Sequence, residues 1–544
     1  MTWLAETCML AHGWRRLLMA FVAGLVAALS VPPFFVLPAL FAGISVLVWL
    51  LDGAESRQGF ARVLGPAFRI GFFFGWGYFT LALNWIGAAF FVDGGAMLAL
   101  MPFAVLALAA ILAAFVGLGT AFAHLFWSHG PWRILGLAAG LALADFARGH
   151  LFSGFPFDVF GYALTANAQM MQLASILGVY GLGVVAVAIA ATPALIWPAD
   201  RRTLSARLSP FFLGLVALAA QIGYGQYRLE STPLKPRTDI RMRLVQPDID
   251  QSAKWQTANR DGIVQQLITL SETRTGPKDP GLIGRTHLVW PEAALPFYLS
   301  EDPDALARIA RMLPAGTLLL TGAPREGFVP EGDSPAAAPG YNSILAIDHL
   351  GEVVASYDKT HLVPFGEYLP FAPVFRSLGI SQFVPGANGW AAGDMRRPFD
   401  APDTPPFLPL ICYEAIFSGD LGSAADQSQF ILNVTNDAWF DGSIGPAQHF
   451  HHARLRAVEE GMPLVRVANT GVTALVDPLG RIEARLGEGQ AGVLDVVPDQ
   501  RLGPTLFDRL GHWPFAALTL LSLLLAGLAA RREQHGARSG GARI

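Results

Sequence analysis

Long apolar runs crowd the first 226 residues and return once near the C-terminus, whereas residues 227 to 504 alternate short apolar stretches with polar ones. A helix needs roughly 20 apolar residues to cross the hydrocarbon core of a bilayer. Runs of that kind read at Leu17 to Ser30, Phe34 to Leu51, and about 67 to 90, 97 to 127, 132 to 148, 170 to 197 and 209 to 226. A last one reads at about 513 to 530. The pattern predicts a membrane domain of seven transmembrane helices over 1–226 and one more helix, with a short tail, within 505–544. Arg15 and Arg16 precede the first run like the start of a signal peptide, but another apolar run follows at once, so that helix is expected to be retained.

The stretch 227–504 has a different rhythm. Arg241 to Val245, Leu288 to Trp290, Leu318 to Thr321, Ser343 to Ile347, Val353 to Tyr357, Phe407 to Ile411, Phe430 to Val434, Leu464 to Val467 and Val472 to Val476 are short, apolar and often β-branched, as strands are. Amphipathic pieces lie between several of them. Asp302 and Pro303 suit an N-cap and first helical position, and Leu306, Ile309, Ala310 and Leu313 then share one face. Alternation of this sort predicts an α/β domain. Pro330 to Pro339 reads as a Pro/Ala/Gly-rich surface loop.

Composition sharpens this division. Of 544 residues 53% are hydrophobic and only 15% charged, too apolar for an ordinary soluble protein. The net charge is -4 and no basic tract interleaves with aromatics, which excludes nucleic acid as an expected partner. Basic residues sort by loop. Arg15, Arg16, Arg57, Arg62, Arg133, Arg201, Arg202, Arg207, Arg531, Arg532, Arg538 and Arg543 fall on one side of the eight-helix arrangement. The opposite loops Val31 to Pro33 and Val92 to Gly95 carry none, and 148 to 169 carries only Arg148. By the positive-inside rule both termini are expected to be cytoplasmic and 227–504 to face away from the cytoplasm. The outer loop Phe152 to Phe157, aromatic and broken by Gly154 and Pro156, reads either as the border of a lipid portal or as part of an aromatic belt.

Candidate chemistry stands at the ends of three strand-like runs. Cys412 follows Leu408 to Ile411, Glu292 closes the run from Thr286 to Pro291, and Lys359 follows Val353 to Asp358. Thiol attack on a carbonyl needs a nucleophile, a base for its proton and a cation for the oxyanion, and these three supply one of each. The only other cysteine, Cys8, lies before the first span, so Cys412 reads as a free thiol, either reactive or buried and structural. His449, His451 and His452 have spacings that do not put three ligands on one helix face, and neither a metal nor a cofactor is expected. His361 beside Lys359 reads as a structural hydrogen-bonding residue. Asp145 and Asp158 read as charges near span ends.

The three runs carry a resemblance. Trp290-Pro291-Glu292, the stretch Tyr357 to Tyr368 and Ile411-Cys412-Tyr413-Glu414 resemble the signatures of the nitrilase superfamily, and Arg456 to Gly471 followed by Asp477 to Gly480 is similar to its later core. With helices on both sides, the match narrows to the apolipoprotein N-acyltransferase family. That implies an αββα sandwich for the extracytoplasmic domain, on the periplasmic side of a bacterial inner membrane. It also implies transfer of an acyl chain from a phospholipid donor to the α-amino group of a diacylglyceryl apolipoprotein acceptor through a cysteine thioester. Carried over, Cys412 is the nucleophile, Glu292 the general base and acid, and Lys359 the cation that holds the oxyanion and lowers the thiol pKa. Glu367 matches an acidic position that orients Lys359, Tyr413 and Glu414 flank the nucleophile with the Tyr413 N–H as an oxyanion donor, and Trp255 matches a tryptophan near the substrate entrance. Phe157 and the order Asp441-Gly442 depart from the usual family pattern. A membrane-anchored nitrilase-type amidase and a polytopic receptor or transporter are the rival readings.

Overall fold

The computed structural model describes residues 1–54, 60–93, 95–199, 202–327, 340–371, 373, 377, 389–419 and 421–540. The Pro330 to Pro339 loop and Arg57, Arg201 and Arg543 lie outside the described residues. The chain divides into two compact units, Met1–Thr232 with Arg509–Ile544, and Pro233–Asp508.

The first unit is helical. Among the described residues four helices are long and apolar enough to cross a membrane: Leu98–His124, Ala174–Leu195, Leu204–Ser231 and Trp513–His535. A fifth crossing results if Gly65–Ala82 and Asn84–Val92, bent by 52°, form one span, and Leu37–Asp52 is a shorter apolar helix. The two other runs read as spans are the helices Gly13–Ala28 and Arg133–His150, of 16 and 18 residues, both with arginine in the first turn. Lipid offers no hydrophobic gain for helix association, so packing depends on close backbone approach. Gly24 provides it: a Cβ there would stand 1.9 Å from the Phe74 carbonyl oxygen of helix Phe60–Ala82.

Arg148 is buried and pairs with Asp145 at 3.0 Å. Its guanidinium also donates to the carbonyls of Phe155 and Phe157, the latter at 2.8 Å, which pins the aromatic loop by its backbone. Phe157 is buried with its ring 5.2 Å from that of Trp85, whereas Phe152 is exposed.

Among the described residues the second unit has thirteen strands. They are β1 Met242–Gln246, β2 His287–Val289, β3 Leu318–Arg325, β4 Gly340–Ile347, β5 Val353–Asp358, β6 Trp390–Ala391, β7 Phe399–Ala401, β8 Thr404–Ile411, β9 Ile431–Thr435, β10 Leu464–Ala468, β11 Thr473–Val476, β12 Ile482–Leu486 and β13 Gly492–Val496. One sheet has the order β13-β1-β2-β3-β4-β5 with β6 on β4, the other β12-β11-β10-β9-β8-β7. Strand side chains alternate between faces, and that alternation assigns the layers. Met242, Leu244, Leu320 and Ile344 of the first sheet meet Phe407, Ile411, Leu432, Val434 and Val467 of the second in a core between the sheets. On the outer face of the first sheet Val245, Leu288 and Leu319 pack against Ile263, Leu267 and Ile309 of helices Arg260–Glu272 and Pro303–Met312. Leu408, Leu410, Ile431 and Leu464 do the same with Phe450, Ala453 and Ala457 of helix Gly445–Glu460. The result is an αββα sandwich. Asp302 caps its helix as its sequence position suggested, accepting from the Ala305 N–H at 2.9 Å.

The strands β1, β2 and β3 run parallel, as do β8, β9 and β10, and β5 shares the direction of β3 because both are antiparallel to β4. The C-terminal ends of β2, β5, β8 and β9, followed by Glu292, Lys359, Cys412 and Asn436, are therefore where chemistry-bearing residues gather.

Candidate active site

Glu292 lies three residues past β2, where the chain passes directly over β3. Gly322 makes room for it, since a Cβ there would stand 2.5 Å from the Glu292 Cα. The buried Glu292 carboxylate accepts from Asn342 Nδ2 at 2.8 Å on one oxygen and from the Asn436 backbone N–H at 2.8 Å on the other. Lys359 Nζ stands 3.5 Å from Glu292 Oε1 and 2.9 Å from Glu367 Oε1. Asn342 Nδ2 also reaches Glu367 Oε1 at 3.0 Å, and Glu367 accepts from the Val363 N–H at 2.8 Å. One ammonium between two carboxylates is the outcome. Burial works against that charge, but Glu367 and Glu292 outweigh it and hold Lys359 above the ordinary lysine range.

Cys412 follows β8 directly with φ +51°, a left-handed conformation that costs a side-chain-bearing residue about 1–3 kcal/mol. The turn that follows, Cys412–Ile416, is a short 3₁₀ segment held by Glu414. Glu414 is fully buried and accepts from the Ile411 N–H at 2.8 Å through one oxygen. Through the other it accepts from Tyr357 Oη at 3.0 Å, Thr360 N–H at 2.9 Å, Thr360 Oγ1 at 2.7 Å and His361 N–H at 3.2 Å. Burial favours its neutral form, yet Arg396 and these donors hold it below the usual carboxylate range. The Tyr413 side chain is buried against Phe417, ring centroids 5.1 Å apart, and His361 stacks on Phe417 at 3.9 Å.

Burial pushes the Cys412 thiol up, and the charges of Glu292 and Asp437 add to this, whereas Lys359 and a hydrogen bond with Thr435 pull it down. The upward causes win. Lys359 acts downward on the thiol without reversing that balance.

Several residues of this neighbourhood were not singled out from the sequence. Asp437, two residues past β9, accepts from Thr435 Oγ1 at 2.9 Å, from Arg466 at 2.7 Å and from His449 Nδ1 at 2.8 Å. The ligand atoms of Cys412, Asp437 and His449 lie within 4.8 Å of one another, close enough for an ion, but both Asp437 oxygens are already engaged by protein donors. Asn469 Nδ2 reaches Asn436 Oδ1 at 3.0 Å, and Asn436 Nδ2 reaches Gln251 Oε1 at 2.8 Å. Lys254, fully buried, donates to the Glu292 carbonyl at 3.3 Å, and burial pushes it down to about 8. Trp255 follows it, half-buried, its Nε1 buried with no hydrogen-bond partner among the described residues. Glu292, Lys359, Glu367 and Asn342 thus form one polar network, while Trp255 takes no part in it. The signal for Asn436 and Asp437 was the same as for Cys412, a strand-length apolar run turning abruptly polar.

A thiol, two carboxylates and an ammonium at the strand ends of an αββα sandwich define a carbon-nitrogen hydrolase domain, and the family model of that description, Carbon-nitrogen hydrolase, matches residues 243–504. A second model, Apolipoprotein N-acyltransferase N-terminal domain, matches residues 23–192. Apolipoprotein N-acyltransferase of Rhodopseudomonas palustris is 42% identical over 528 residues, 97% of this chain and 98% of that one. The Bradyrhizobium diazoefficiens protein of the same name is 43% identical over 525 residues, 96% of each chain. Among solved structures, an amidase from Nesterenkonia sp. AN1 is 19% identical and covers 50% of this chain and 93% of its own, with a TM-score of 0.32. The chain belongs to the apolipoprotein N-acyltransferase family. Membership supports an N-acyltransferase function in lipoprotein biosynthesis, with lipid and lipoprotein substrates, and together with the apolar helices makes this a membrane protein.

Proposed function

We propose that the protein moves a fatty acyl chain from a phospholipid to the α-amino group of a diacylglyceryl apolipoprotein in two half-reactions through a thioester on Cys412. The observation that carries this reading is a half-buried cysteine just past β8 whose environment holds the Glu292 carboxylate and the Lys359 ammonium, themselves 3.5 Å apart. Glu292 takes the thiol proton as sulfur bonds to the ester carbonyl carbon, and the carbonyl π pair moves onto oxygen. Lys359 Nζ and the Tyr413 N–H are the donors for that oxyanion. Collapse breaks the carbon–oxygen bond, Glu292 returns the proton to the departing alcohol, and lysophospholipid leaves. The acceptor amine then attacks the thioester, gives its proton to Glu292, and the cysteine sulfur departs and is reprotonated. Glu367 keeps Lys359 in place, Glu414 holds the turn beneath Cys412, and Trp255 is assigned to the substrate entrance.

The same proposal includes the membrane arrangement: seven crossings in 1–226, one in 505–544, both termini cytoplasmic and 227–504 periplasmic, at the inner membrane of a bacterium. Sorting of arginine by loop supports it. Reporter fusions at Pro233 and after Ile544 check this, an outer-side signal at the C-terminal fusion contradicting it.

The mechanism is checked by mass spectrometry of the Cys412 peptide after incubation with phospholipid alone. A hydroxylamine-labile acyl group and one equivalent of lysophospholipid are expected. Release of lysophospholipid only after acceptor is added, with intersecting initial-rate lines, replaces the thioester by direct transfer.

A further inference from the structure

His449 lies on helix Gly445–Glu460, with no sequence proximity to Cys412, yet its Nε2 stands 3.0 Å from the Cys412 carbonyl oxygen. Its Nδ1 stands 2.8 Å from Asp437 Oδ1, and neither acceptor carries a hydrogen, so both contacts are hydrogen bonds together only when the imidazole carries a proton on each nitrogen and donates from both. Asp437 is itself fixed, by Arg466 at 2.7 Å and Thr435 at 2.9 Å, and Arg466 also donates to Asn433 of β9. Burial works against the Asp437 charge, but Arg466 and His449 hold it well below the usual carboxylate range. The chain Arg466, Asp437, His449 therefore ends in one aimed N–H.

That N–H meets a particular peptide unit. The Cys412 carbonyl and the Tyr413 N–H belong to the same planar trans peptide, so they point in opposite directions and cannot turn independently. Cys412 sits at φ +51°, where a non-glycine residue stays only if its surroundings hold it. We infer that His449 is a positioning residue of the oxyanion site: by anchoring the Cys412 carbonyl it aims the Tyr413 N–H at the oxygen of the ester under attack. The inference rests on the proposed thioester chemistry and adds to it the device that orients one of its two oxyanion donors. It competes with two other uses of an imidazole near sulfur, as a second base for the thiol and as a plain pillar of the fold.

Alkylation and acylation separate these uses. Iodoacetamide reacts at Cys412 by displacement, with no oxyanion, whereas phospholipid acylation passes through one. In a Cys8→Ala background, His449→Met fills similar volume without a donor, and His449→Gln keeps an N–H for the carbonyl. For His449→Met the acyl-enzyme rate at saturating phospholipid is expected to fall roughly 10²-fold, the scale of losing one oxyanion donor. Its Cys412 alkylation rate is expected to stay within about threefold of the parent. His449→Gln is expected to recover acylation to within about tenfold. Alkylation falling in proportion to acylation overturns the inference in favour of a base or a pillar, and unchanged acylation in His449→Met overturns it outright. Should the methionine variant not fold, His449→Gln decides: a loss of acylation near 10²-fold with its donor intact overturns the inference, and a loss within about tenfold with unchanged alkylation sustains it. Cys412→Ala in parallel tells the two readings apart. Acyl transfer persisting there overturns the thioester mechanism together with this inference, whereas an inactive Cys412→Ala beside a fully active His449→Met overturns this inference alone.

Discussion

Glu414, two residues beyond Cys412, accepts a hydrogen bond at 2.9 Å from the backbone N–H of Thr360, the residue after Lys359. One buried carboxylate thereby ties the end of β5 to the end of β8, and the distance between cation and sulfur depends on it. Glu414→Gln keeps the shape but turns an NH₂ toward donors or leaves one oxygen's partners unmatched. We expect a destabilisation of about 3 kcal/mol, as for removing one side of a buried charged network. Acyl-enzyme formation should fall with it, measured on detergent-purified protein by thermal unfolding and by lysophospholipid release. Wild-type values for both would mean the tie is dispensable.

Glu292→Gln is expected to move two rates in opposite directions. Because the Glu292 charge helps hold the Cys412 thiol up, its removal makes alkylation by iodoacetamide faster at a fixed pH. Loss of the base slows acylation by roughly 10²–10⁴-fold. In the wild type, alkylation should rise about tenfold per pH unit from 7 to 9 without a plateau, as for a thiol titrating above that range. A plateau near neutrality would show a resting thiolate instead.

Lys359→Arg should be inactive although the charge is kept. Nζ sits between Glu367 at 2.9 Å and Glu292 at 3.5 Å, a space for a compact ammonium and not for a planar fork. Overpacking at this buried position costs about 1–3 kcal/mol, so the protein should still fold. Turnover within about tenfold of wild type would remove Lys359 from the oxyanion site.

His287 gives a pH dependence without touching the reaction. It is buried at the start of β2, its Nε2 2.9 Å from Thr404 Oγ1 of the other sheet, and burial pushes it from 6.5 to about 4. The unfolded ring binds a proton that the folded ring refuses, so this contribution is complete above pH 6.5 and is lost as pH falls toward 4. Its size is on the order of 3 kcal/mol. The drop in unfolding midpoint between pH 7 and pH 4.5 should be smaller in His287→Gln than in the wild type, and equal drops would count against the assignment.

Much of this architecture could be read from apolar periodicity. All nine strands expected from short apolar runs are present; most are buried on both faces, and such a strand writes itself as a continuous run, whereas Val353–Asp358 is mostly half-buried and was legible from its β-branched start. Ile482–Leu486 and Gly492–Val496 escaped because they are only half-buried and carry Glu483, Arg485 and Asp495 among their apolar positions. Glu292, Lys359 and Cys412 stood out by ending such runs. His449 did not, since what distinguishes it is a partner 37 residues away on another element, and three histidines in four residues suggested a metal question instead. Arg466 was hidden more completely, a charge in the middle of an apolar strand that only the fold pairs with Asp437.

The pairing of β1 with β13 joins Met242 to Val496, so the strand that opens the second unit shares its outer edge with the strand that closes it. On the ribosome the first strand waits for about 250 further residues, roughly 12–50 s at ordinary elongation rates. Until then its free edge is a template for any passing strand. Completion arrives just before the final helix Trp513–Gly540 is made. Premature termination anywhere in that interval yields a product whose first sheet is left with one side of β1 unpaired, and quality control would meet it as an aggregating species, not as a shorter enzyme.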